Sequence, residues 1–146
     1  MSTRDFMVDA ASTGAETPID ILKSVFAVLN QGNILGAVDH FAEEFTYNDY
    51  ALDLEFTDRE LLIEFFRKSR ELFPDTALEI ESTFAYGDQA VAEWKLTATH
   101  TEFIWNQNFP FPIVVRGSTI VRVDNGRVTH WSEYYDERTS RRYRLA

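Results

Sequence analysis

The sequence predicts one α+β domain in which about three N-terminal helices pack against a long, strongly curved antiparallel sheet. Three observations carry this. Apolar residues recur at helical spacing between residues 18 and 73, apolar and polar residues alternate from Ala77 onward, and turn signals divide the alternating runs. Helices segregated from consecutive strands point to α+β rather than to alternating βαβ units.

The elements follow in order. Residues 1–17 are small, polar and without period, and read as a flexible lead. Pro18 stands where a first helical turn begins, and Ile21, Leu22, Val25, Phe26, Val28 and Leu29 form an apolar stripe that Gly32 closes. A second, shorter helix follows, with Ile34, Leu35, Val38 and Phe41 expected inward, and then a short strand over Phe45 to Tyr50 and a loop. Thr57 with Glu60 three residues on makes a capping box for a third helix. Its expected buried stripe is Leu61, Leu62, Phe65, Phe66 and Leu72, with Lys68, Arg70 and Glu71 facing water and Pro74 ending it. The strand region starts with Leu78 and Ile80 set against Glu79 and Glu81. It continues through QAVAEWKLTATHTEF, a loop IWNQNFPFP rich in aromatics and proline, and a hairpin turning at Asp124, Asn125 and Gly126. The folded domain is expected over 18–137, followed by an Arg-rich tail over 138–146 with Arg138, Arg141, Arg142 and Arg144.

A chain of 146 residues buries roughly two-thirds of its unfolded surface, so a core forms without disulfide staples. Zero cysteines exclude thiolate ligands, disulfides and cysteine nucleophiles. The formal charge of −10 disfavours a general grip on nucleic acid or an anionic membrane. No apolar run reaches the ~18 residues of a membrane span, and the expectation is a soluble cytoplasmic protein. His40, His100 and His130 lack ligand spacing, no glycine-rich loop follows a strand, and no G-x-S-x-G segment is present. Neither a metal nor a cofactor is expected.

The segment GRVTHWSEYYD, residues 126–136, has strand-favouring composition, and its alternation leaves two orientations open. One buries Trp131, Glu133 and Tyr135; the other turns Glu133 to water.

The element order, with NQGN, HFAEEFTYND, LTATHTEF and VDNGRVTHWSEYYD, resembles the nuclear transport factor 2-like superfamily in its SnoaL-like and ketosteroid isomerase-like branch, over residues 18–136. The resemblance implies a conical, cystatin-like α+β barrel enclosing one deep apolar cavity. It also implies a homodimer through the sheet. It places Trp131, Glu133 and Tyr135 on the cavity side, with Glu133 at the acid/base position of the cyclases and Asp49 at that of the isomerases. Tyr47 matches a polar cavity position, and His100 matches a Thr-His of the cyclase branch. Epoxide hydrolysis in this superfamily needs an Arg and an Asp where this chain has Trp94 and Leu96, so that chemistry is excluded. The oxyanion donors of the ketosteroid isomerases are matched by Val25 and Thr119.

The implied catalytic residues are therefore Glu133, Asp49 and His100, and the implied ligand-binding residues are Tyr47, Trp94, Trp131 and Tyr135. A carboxylate sunk among apolar groups has its charged form penalised, which brings its pKa into the range of general acid/base work. The expected function is binding of a hydrophobic small molecule, with metal- and cofactor-independent isomerase or cyclase chemistry on a carbonyl compound. The rival expectation is a non-catalytic ligand-binding or dimerisation module of the same fold.

Overall fold

The computed structural model describes residues 16–136; most of the lead and all of the Arg-rich tail lie outside the described residues. Two helices, two strands, a third helix and four further strands follow in order and build three helices against a six-stranded sheet, the α+β arrangement the sequence predicts.

Helix α1 spans Pro18–Asn30. Thr17 caps it: its hydroxyl accepts from the Asp20 N–H, and the Asp20 carboxylate accepts from the Thr17 N–H, both at 3.1 Å. Ile21, Leu22, Val25 and Phe26 are its buried face. Gly32, at φ +75°, turns the chain into α2, Ile34–Val38, which Asn33 caps by accepting from the Gly36 N–H. Leu35, expected inward, is exposed; Ala37 and Val38 take the inner face, and Phe41 already belongs to the first strand.

Helix α3 spans Arg59–Leu72 and is capped by Asp58, not Thr57; the Asp58 carboxylate accepts from the Leu61 N–H at 3.0 Å. Two good capping residues stand side by side here, and burial decides between them. The helix buries Leu62, Ile63 and Phe66 and leaves Leu61 and Leu72, both expected inward, in water.

The strands are β1 (Phe41–Asp49), β2 (Leu54–Phe56), β3 (Ala77–Tyr86), β4 (Gln89–Ile104), β5 (Gln107–Asp124) and β6 (Arg127–Tyr135), in the order β2-β1-β6-β5-β4-β3. Every pairing is antiparallel except β1 with β6, which is parallel. The expected loop IWNQNFPFP is instead a hairpin: β4 and β5 stay paired out to Ile104 and Gln107, around a turn in which Trp105 and Asn106 both have positive φ. Its prolines, Pro110 and Pro112, are accommodated because β6 joins β5 only from Gly117 on. In this stretch β5 is an edge strand, where a missing N–H costs no ladder bond. The β5–β6 turn, Asn125-Gly126 with both φ positive, is the one the sequence predicts.

The core lies between the helices and the face of the sheet that carries Tyr47, Val121 and Trp131. Trp131, Tyr47, Ile21, Leu22, Leu62, Val25, Val38 and Val121 are at most 2% exposed. Among the described residues no helix is long and apolar enough to cross a membrane.

Candidate active site

Strand register assembles the site. Because side chains of paired residues share a face, Asp49 of β1, Glu133 of β6, Thr119 of β5 and Ala92 of β4 form one inward row across the sheet. Tyr47, Trp131 and Val121 form the row on one side, and Tyr135, Gly117 and Trp94 the row on the other. Trp131, Glu133 and Tyr135 therefore all face inward. Gly117 is needed for this packing: a Cβ there would lie 2.7 Å from the Trp94 ring and 2.6 Å from the Tyr134 carbonyl oxygen.

The rows open into a cavity of about 410 Å³ between the sheet and the helices. Apolar side chains line most of it, among them Leu29, Phe65, Phe66, Leu96 and Ile113. Tyr47, Asp49, Trp94, Glu133 and Tyr135 all contribute to its wall. Trp131 does not reach the cavity. It stands behind the wall, stacked on Tyr47 with centroids 6.0 Å apart and packed against Phe26 and Phe41. Its indole N–H emerges from that packing to donate to Glu133 Oε1 at 2.9 Å.

Each carboxylate is held by named donors. Asp49, 2% exposed, accepts from the Tyr135 hydroxyl at 2.8 Å and from the Leu52 N–H at 3.0 Å. Glu133 accepts from Trp131 and from the Tyr47 hydroxyl. The residue is half-buried, and what it exposes faces the cavity. Burial raises the Glu133 pKa from its ordinary 4.5 to about 7, and the neighbouring Asp49 charge adds to the rise, while the hydrogen bonds from Trp131 and Tyr47 oppose it. Tyr47 is pushed well above the usual phenol range by burial first and then by Glu133 and Asp49, so it stays a neutral donor at physiological pH.

His100 lies elsewhere. It is six residues beyond Trp94 on β4, roughly 20 Å of strand away. There its Nε2 lies at hydrogen-bond distance, 3.0 Å, from Glu102 Oε1, and its ring is set against the Phe73 ring. It is not part of the cavity wall. Val25 and Thr119 supply no donor to the cavity: Val25 is core, and the Thr119 hydroxyl accepts from the Trp94 indole N–H at 2.9 Å. Among the described residues no group of three His, Cys, Asp or Glu is placed to hold a metal.

Arg70 is the cavity residue that sequence reasoning missed. On the helical wheel of α3 it falls on the polar side, but it is half-buried and lines the cavity, its Nη1 directed at the carbonyl oxygens of Leu29 and Thr76. The available signal was local: Gly32 and Thr76, which border it, mark the chain reversals after α1 and α3, where helix ends converge.

IdmH, a proposed polyketide cyclase from Streptomyces antibioticus, superposes with a TM-score of 0.79 at 16% identity, covering 90% of this chain and 100% of that one. A ketosteroid isomerase-like protein from Catenulispora acidiphila, solved in complex with trimethylamine, superposes with a TM-score of 0.76 at 20% identity, covering 88% and 93%. A proposed SnoaL-like polyketide cyclase from Shewanella denitrificans gives 0.76 at 15% identity, covering 88% and 96%. At these identities the likeness establishes the fold. No curated protein matches the sequence. The profile of the SnoaL-like polyketide cyclases matches residues 19–142, well over half of the chain, and the protein belongs to that family.

Proposed function

We propose that the protein is a cofactor-independent acid/base enzyme acting on a hydrophobic carbonyl compound, by isomerisation or by aldol-type ring closure. The observation that carries this reading is Glu133: a carboxyl poised near neutrality on the wall of a largely apolar cavity, one strand from Asp49. A base of that pKa is matched to removing a proton from a carbon next to a carbonyl. Glu133 takes the proton and the carbon's electron pair moves into an enolate; once Glu133 is protonated and no longer needs the Tyr47 hydrogen bond, the neutral Tyr47 hydroxyl turns to donate to the charge on oxygen. In ring closure the enolate carbon attacks a second carbonyl, and protonated Glu133 returns its proton to the resulting alkoxide. In isomerisation the proton goes back to a different carbon. Asp49 holds the Tyr135 hydroxyl in place and its charge keeps Glu133 basic. His100 has no step in this scheme.

The test is α-proton exchange of a bicyclic ketone, 2-tetralone, in D₂O, followed by NMR. The expected result is saturable exchange at pH 7–8 well above the buffer rate. Exchange at the buffer rate while the ketone binds would sink the enzyme reading and leave the ligand-binding module, which the absence of donors at Val25 and Thr119 favours.

The same reading includes a cytoplasmic homodimer formed through the outer sheet face. Ile120 and Tyr134 lie exposed there, and Tyr134 stacks on Tyr50 with centroids 5.0 Å apart. Sedimentation equilibrium is expected to give about twice the 16.9 kDa chain mass, and a monomer at tens of micromolar would refute the pairing.

A further inference from the structure

The cavity wall carries one cation, and nothing in the acid/base scheme uses it. Arg70 enters from α3 with its guanidinium between the end of α1 and the turn after α3. Among the described residues no carboxylate lies within ion-pair distance of it. Asp75, whose charge it feels, is committed elsewhere: one oxygen accepts from the Thr99 N–H at 3.0 Å and the other from the Thr99 hydroxyl at 2.6 Å. A guanidinium has five N–H groups, and both Arg70 hydrogen bonds use Nη1, at 3.4 Å each. The Nε–Nη2 edge is left in reserve, and this edge is the one that matches a carboxylate bidentately.

Gly32 lies against the face of the guanidinium and leaves that edge uncovered: a Cβ at residue 32 would lie 3.8 Å from Nη2 and 3.9 Å from both Cζ and Nε, in ordinary contact with the planar group, and Gly32 itself lines the cavity. The neighbouring polar side chains are already spent. The Ser69 hydroxyl donates to the Phe65 carbonyl, the Thr76 hydroxyl donates to the Phe73 carbonyl, and the Asn30 amide is clamped on both backbone groups of Leu78. At this helix-lined end of the cavity Arg70 is thus the charged donor with free hydrogen-bonding capacity.

We propose that the ligand of this cavity is an anion: an apolar body carrying a carboxylate, whose oxygens sit on the Nε–Nη2 edge of Arg70 while the body fills the space toward the sheet. The apolar body is required because the chain's charge of −10 and the two wall carboxylates repel a small anion that fills nothing. The proposal deepens the enzymatic reading by naming the substrate class as a hydrophobic keto acid, and it rests on that reading for the reacting carbonyl.

The experiment compares binding of 2-naphthylacetate and its neutral isostere, 2-naphthylacetamide, to the full chain by calorimetry at pH 8. The acid is expected to bind about tenfold or more tightly than the amide in low salt, with the preference shrinking as ionic strength rises. Arg70→Gln should bring the acid to within about twofold of the amide, and Arg70→Lys, which keeps the charge but loses the fork, should fall between. Amide affinity unchanged in both variants shows that the cavity is intact. Equal affinities in the wild type, a preference that survives Arg70→Gln, or no binding of the acid at millimolar concentration would each overturn the proposal. Because no reaction is involved, the two readings fail separately. An anion preference without ketone exchange sinks the acid/base scheme alone, and exchange without the preference sinks this assignment alone.

Discussion

Glu133→Gln is expected to lower catalysed proton exchange by about 10²–10⁴-fold, the usual contribution of a positioned general base. Glutamine has nearly the same shape, and its carbonyl oxygen can still accept from the Trp131 indole, so the loss would come from chemistry rather than collapse. In the wild type the rate should follow the ionised fraction of Glu133, rising about tenfold per pH unit below a pKa of about 7 and levelling off above it. The same group makes an opposite prediction for stability. Its folded-state pKa lies above the ordinary 4.5, so the native state holds the proton more tightly than the unfolded chain does. The resulting stability is fully present below about pH 4.5 and is lost as pH rises toward 7. Allowing for solvent that reaches the cavity, the loss is about 2–3 kcal/mol. Glu133→Gln should therefore be more stable than the wild type at pH 8 by an amount of that order, with no gain at pH 4, as measured by urea denaturation across pH. Gain of stability with loss of activity marks a group kept for function. Retained exchange activity, or a flat rate between pH 5 and 8, would exclude Glu133 as the base.

Much of this fold is legible in the sequence because it rests on periodicity. The stripe Ile21, Leu22, Val25, Phe26 and the alternation around Leu78 and Ile80 each allow one solution, and Asn125-Gly126 allows one turn. The readings that moved are those in which two local solutions cost nearly the same. Asp58 displaced Thr57 as cap, and Ile63 took a place on the buried face of α3 that Leu61 was expected to hold. The segment 104–112 became a hairpin because its prolines fall on an edge that no linear pattern announces. The orientation of Glu133 could not be settled from alternation, since a carboxylate is comfortable in water anywhere but inside only where partners exist, and those partners are far away in sequence. Asp49 is brought beside it by a parallel pairing of β1 with β6, with 83 residues between them. Arg70 shows the same limit from the other side. A helical wheel assigns an arginine on the polar face to water and has no means of knowing that the ends of α1 and α3 converge on it.

Trp131→Ala should destabilise the protein by about 3–5 kcal/mol, the range for truncating a large buried ring. The residue is 1% exposed, and its ring is packed among Phe26, Phe41 and Tyr47, so no solvent-side rearrangement can fill the void. In a domain of marginal stability such a loss lowers Tm by roughly 10 °C or more. The functional consequence is separate and is read with Trp131→Phe, which keeps most of the packing and removes only the indole N–H. That donor is the largest of the influences holding the Glu133 pKa down, so its loss should carry the pKa above about 7 and shift the rate profile to higher pH by the same amount. The two variants distinguish the two roles: Trp131→Ala moves both the denaturation midpoint and the titration of Glu133, whereas Trp131→Phe moves mainly the titration, followed by NMR with carboxyl-labelled glutamate. A Trp131→Phe protein whose Glu133 titrates where the wild type does would show that the indole contributes volume alone. In that case the position of this acid would be set by burial and by Asp49, which raise it, against the hydrogen bond from Tyr47, which lowers it.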